Sequence, residues 1–60
     1  MVKVTFKQPD IVTQHGASQE CKFVYCLFCI HEEDGFTRLI FGHDDYFLVD
    51  TFNVLIVEDV

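Results

Sequence analysis

Apolar and polar residues alternate from the first position. Val2, Val4 and Phe6 fall between Lys3, Thr5 and Lys7, a period of two that predicts a half-buried strand. Gln8-Pro9-Asp10 is expected to end it, because proline has no ladder donor and sets a turn. From Ile11 to Gln19 the pattern is weak. A single helical turn capped by Asp10 and stopped at Gly16 competes there with a plain loop.

The stretch Phe23-Val24-Tyr25-Cys26-Leu27-Phe28-Cys29-Ile30 is apolar at every position. Its Phe, Val, Tyr, Cys and Ile favour a strand. A helix through it would place Glu32, Glu33 and Asp34 in its last turn, the wrong sign for the negative end of the dipole. Asp34-Gly35, set between two apolar runs, instead reads as a two-residue hairpin turn. That turn predicts a register in which His31 faces Arg38, Ile30 faces Leu39, Cys29 faces Ile40 and Phe28 faces Phe41. Val24, Cys26, Phe28, Ile30, Leu39 and Phe41 would then line the core. Phe23, Tyr25, Leu27, Cys29 and Ile40 would line the outer face, which a simple antiparallel sheet leaves wet. Gly42-His43-Asp44-Asp45 reads as the next turn. Tyr46 to Val49 and Phe52 to Val57 are two further apolar runs, with Asp50-Thr51 as a tight connection, or else one long bent strand. The pattern as a whole predicts an all-β or β-rich α+β chain, with a small antiparallel sheet of four to five strands and at most one short helix.

Length turns the apolar outer face into a problem. Sixty residues make one domain, 1–60, and a domain of this size buries only about 60% of the surface its unfolded chain exposes. Half of the residues are apolar, with seven Phe and two Tyr, which excludes disorder but overloads so small a volume. The expected remedy is association. The surplus face through Phe23, Tyr25, Leu27, Cys29 and Ile40 predicts a homodimer.

Charge narrows the partners. The formal net charge is -6, which disfavours direct contact with nucleic acid or an anionic membrane and attracts basic proteins. Glu32, Glu33 and Asp34, then Asp44, Asp45 and Asp50, then Glu58 and Asp59 fall near turns and at the tail. They could form a negative rim for a basic groove, or simply be the acids that turns attract. The chain opens directly on the strand pattern, its longest apolar run is far below the ~20 residues of a membrane span, and its three cysteines are an odd number. Together these suggest free thiols and a cytoplasmic location.

Little in the sequence carries chemistry. Cys26-Leu27-Phe28-Cys29 is a CxxC, and with Cys21 and His43 it raises a zinc or redox module as the alternative function. Mid-strand, however, the two sulfurs should diverge to opposite faces. His43, Asp44, Asp45 and Asp50 are catalytic residue types that read more simply as an Asp-rich turn. No phosphate loop, nucleophile elbow or HExxH is present, so neither an enzyme nor a cofactor is expected. The best expectation is a small acidic protein-binding module that inhibits or modulates a larger protein, one that itself binds nucleic acid or serves in defence. Size, charge and lack of catalytic equipment are similar to those of proteins that bacteriophages use to block host or defence enzymes, a resemblance of type that rests on no shared motif.

Overall fold

The computed structural model describes residues 1–60, and about three quarters of them are in strands. β1 (Val2–Gln14) and β2 (Ala17–Cys26) form a long antiparallel hairpin, followed by β3 (Phe28–His31), β4 (Phe36–Gly42) and β5 (Asp45–Asp50). A 3-10 turn, Thr51–Asn53, leads into β6 (Val54–Asp59). There are two three-stranded sheets, β2-β1-β6 and β3-β4-β5. The all-β class is therefore as the sequence suggests, but the single expected sheet is two. β2 and β3 are one run of chain interrupted only at Leu27, so this run carries the backbone from the first sheet into the second.

The first strand does not stop at Pro9. Its register with β2 breaks between Thr5 and Asp10 and then resumes to Gln14. Pro9 lies in that gap, where a missing N–H costs no ladder bond. The gap is closed from the far end of the chain. The Gln8 N–H donates to Asn53 Oδ1 at 3.0 Å, and Asn53 Nδ2 donates to Gln8 O at 3.0 Å. Residues 11–19 are neither helix nor loop. Ile11, Val12 and Thr13 are β-branched strand formers, and His15 and Gly16 make the turn, with φ of 51° and 79°. Two successive positive φ values suit the twist of a tight hairpin.

The core contains Val4, Phe6, Val12, Val24, Cys26, Leu39, Phe41 and Val49, with Leu39 and Val4 fully covered. Thr37 is the one buried polar residue. Its Oγ1 is 2.7 Å from both His31 Nδ1 and Thr51 Oγ1, so its hydroxyl is satisfied on two sides. The His15 ring nitrogen Nδ1 lies 2.6 Å from Asp45 Oδ2, fastening the β1–β2 tip to the β4–β5 turn.

Two expectations for the central hairpin fail, for physical reasons. The β3–β4 loop has three residues rather than two: the Glu32 N–H bonds Phe36 O, leaving Glu33, Asp34 and Gly35 (φ 90°) to turn. The register is therefore one residue off the expected one, with Phe28 opposite Ile40, Cys29 opposite Leu39, Ile30 opposite Arg38 and His31 opposite Thr37. A slip of one exchanges faces. The second change is at Leu27, where Leu27 and Phe28 are both exposed and alternation restarts one residue late. Val24 and Cys26 face the core as expected, while Phe28 and Ile30 do not.

Candidate interaction surface

The outer face of the β3-β4-β5 sheet follows from that register. One row across it is Phe28, Ile40 and Tyr46, and the next is Ile30, Arg38 and Leu48. Phe36 flanks them beside Asp50. Phe28, Ile30, Phe36, Tyr46 and Leu48 are each at least 40% exposed. A chain of this mass should expose about 4,000 Å² if it folds as tightly as proteins do, and this one exposes 4175 Å². Loose folding therefore does not explain the apolar face. There is not enough interior to hold it.

Arg38 sits in the middle of the face. Its guanidinium carbon is 5.0 Å from the Tyr46 ring centroid, a cation–π distance. Its Nε is 3.4 Å from Glu32 Oε1, yet it makes no aligned hydrogen bond and is shielded from solvent. The pair is thus held by charge alone, with both side chains a third or more exposed, so it adds little to stability.

The expected outer-face residues divide. Phe23, Tyr25 and Leu27 are exposed as the pattern implies, and Ile40 is on an outer face but half-buried between Phe28 and Tyr46. Cys29 belongs elsewhere: it pairs with Leu39 and packs against the core. Cys26 and Cys29 thus share the inner side, contrary to the divergence expected of a regular strand, because the extra residue at Leu27 shifts the phase. Burial pushes the Cys26 thiol pKa up, and Cys29 nearby pushes it further, against a backbone hydrogen bond with Ile40. Burial raises Cys29 likewise. All three cysteines are free. Cys21, on β2, is half-buried, and the His43 side chain is almost fully exposed in the β4–β5 turn. No three His, Cys, Asp or Glu side chains come together as metal ligands.

The acids lie in separate places. Glu32, Glu33, Asp34 and Asp50 are at one end of the β3-β4-β5 sheet, Asp44 and Asp45 at the other, and Glu58 and Asp59 opposite Lys3 and Val2 in the first sheet. Several serve the backbone: Asp34 Oδ1 accepts from Phe36 N, Asp50 Oδ1 from Phe52 N, and Asp45 Oδ2 from His15 N. Two shallow hollows accompany them. One lies among Lys7, Asp10, Phe52 and Asn53, the other among Glu33, Asp34 and Arg38. Both are open and lined almost wholly by polar residues, unlike an enclosed small-molecule site. No helix is long and apolar enough to cross a membrane.

The sequence pattern places Phe28 and Ile30 in the core and assigns Tyr46 and Leu48 to no face. The missing signal was the loop length, and Glu33-Asp34-Gly35 is as compatible with a three-residue turn as Asp34-Gly35 is with a two-residue one. Comparison with protein-family models, curated proteins and solved structures finds no match for this chain.

Proposed function

We propose that this chain is a small acidic protein-binding module, one that self-associates and inhibits or modulates a larger protein. Its working surface is the outer face of the β3-β4-β5 sheet. The observation that carries this reading is the cluster of exposed Phe28, Ile30, Tyr46 and Leu48 around the single guanidinium of Arg38. Aromatic anchors with an arginine among them are the composition of interface centres. The acids at both ends of the same sheet flank this face, so they would steer a basic partner while the apolar centre holds it. A groove that ordinarily receives nucleic acid has the matching charge.

The test is capture of a binding partner by wild-type protein, by Leu48→Glu and by Ile11→Glu. Leu48 and Ile11 are both exposed, but Ile11 lies on the β1–β2 hairpin away from the face. The same partner should bind wild type and Ile11→Glu and be lost with Leu48→Glu. DNA should compete for it. Equal capture by all three proteins would refute this face as the working surface.

A further inference from the structure

The outer edge of β6 is open. β6 pairs with β1 on one side, and no strand lies on the other. Proteins usually blunt such an edge with lysine, proline or an inward charge. Here Val54, Leu55, Ile56 and Val57 carry none of these; the one irregularity is an extra residue at Leu55, which leaves Ile56 to Asp59 regular, and Leu55, Ile56 and Val57 are 56%, 47% and 43% exposed.

The backbone groups on that edge can be assigned. The Val60 N–H bonds Met1 O, and the register runs unbroken from Val2 opposite Asp59 to Thr5 opposite Ile56. Because antiparallel bonds alternate, Glu58 and Ile56 turn their N–H and C=O towards β1. Val57 and Asp59 turn theirs outwards, where nothing receives them.

We infer that this edge takes the β6 edge of a second copy, antiparallel, joining the two β2-β1-β6 sheets into one of six strands. This deepens the association reading, on which it rests for its biological sense, by giving self-association its own seat. Charge selects both the occupant and the direction. β6 is apolar through Val57 and acidic at Glu58 and Asp59. Parallel pairing would set Glu58 against Glu58. Antiparallel pairing about Ile56 or Val57 sends the acids of each copy towards residues 53–56 of the other. At that end the Lys7 ammonium lies over the Phe52 ring, 4.3 Å from its centroid, with no carboxylate partner. Ile56, beside Thr5 on the outer face, would then lie next to the second copy across the join.

Val57 permits a clean test, since its N–H is not used by β1. Sedimentation equilibrium of the whole chain over rising concentration should show wild type passing from 7.0 kDa to twice that mass. Val57→Lys and Val57→Pro should remain at chain mass where wild type is dimeric, a weakening of at least about tenfold in Kd. Lys7→Glu should weaken the dimer too, and added salt should lessen the difference. Amide exchange at Val57 and Asp59 should slow with concentration in wild type, which decides the matter even if Val57→Pro does not fold. The inference is overturned if wild type stays monomeric, or if the dimer survives Val57→Lys with unchanged exchange at Val57. Leu48→Glu should leave the dimer intact. Loss of dimer there with survival in Val57→Lys would put self-association on the β3-β4-β5 face instead, and loss of partner capture alone would leave the edge inference standing.

Discussion

Replacing Asn53 by alanine tests whether one side chain substitutes for a missing stretch of sheet. Where β1 loses its register with β2, the Asn53 amide meets the Gln8 backbone with one donor and one acceptor, both at 3.0 Å, as a neighbouring strand would. Its second amide hydrogen reaches Asp10 Oδ2 at 3.3 Å. A net hydrogen bond contributes about 1 kcal/mol, less where water can compete. Asn53 is half-buried and the bonds lie near the surface, so the three together should contribute about 2 kcal/mol. For sixty residues the whole stability is on the order of 3–9 kcal/mol, so the loss is a large fraction. At about 4–8 °C per kcal/mol for a small domain, Asn53→Ala should lower Tm by roughly 8–16 °C. Thermal unfolding followed by circular dichroism reads this directly. Asn53→Asp keeps the acceptor for Gln8 N but sets a carboxylate against Asp10, so at neutral pH it should cost at least as much as alanine. If Asn53→Ala melted within about 2 °C of wild type, the view of Asn53 as a surrogate strand would be wrong.

Three further outcomes are expected. Leu39→Ala, at a fully covered position between Cys29 and Phe47, should cost about 2–5 kcal/mol in denaturant titration, enough to leave much of the chain unfolded. Thr37→Val keeps the volume but strips His31 Nδ1 and Thr51 Oγ1 of a shared partner; a loss of about 1–3 kcal/mol is expected, and a neutral result would mean that water replaces the hydroxyl. Stability should fall as pH rises through 9 and above, because the unfolded chain releases the Cys26 and Cys29 protons near the ordinary thiol value of 9.0 while the folded chain holds them higher. The unfolded state then binds fewer protons and is favoured. Denaturant midpoints at pH 7, 9 and 10 check the sign, and Cys29→Ala should flatten the decline.

The strand character of most of the chain was legible because β-branched and aromatic residues dominate it and glycine-containing turns punctuate it. Val4, Phe6, Val24, Cys26, Leu39 and Phe41 could be placed in the core from alternation alone. Two things could not be read. Pro9 signalled an end, yet a strand tolerates proline where it has no partner, and Asn53, 45 residues away, supplies what the gap lacks. The phase of Phe28 and Ile30 depended on a single residue of loop length and one of strand length, and both are decided by the closure of the fold rather than by local preference. The outer face was therefore recognised at Phe23, Tyr25, Leu27 and Ile40, while Phe28 and Ile30 on β3 were assigned to the interior.

The extra residue at Leu27 has a consequence for how this chain tolerates change. With Cys26 inward and Leu27 and Phe28 both outward, deleting Leu27 would keep every other side chain on its present side. What it would remove is the bend, since an added residue is what turns a strand sharply. Without it β2 would run straight into β3, and the corner between the sheets would open into a single flat meander, uncovering Leu39 and Val24. The identity of residue 27 should thus matter little and its presence a great deal. Closure of the molecule depends on the number of residues there rather than on their chemistry.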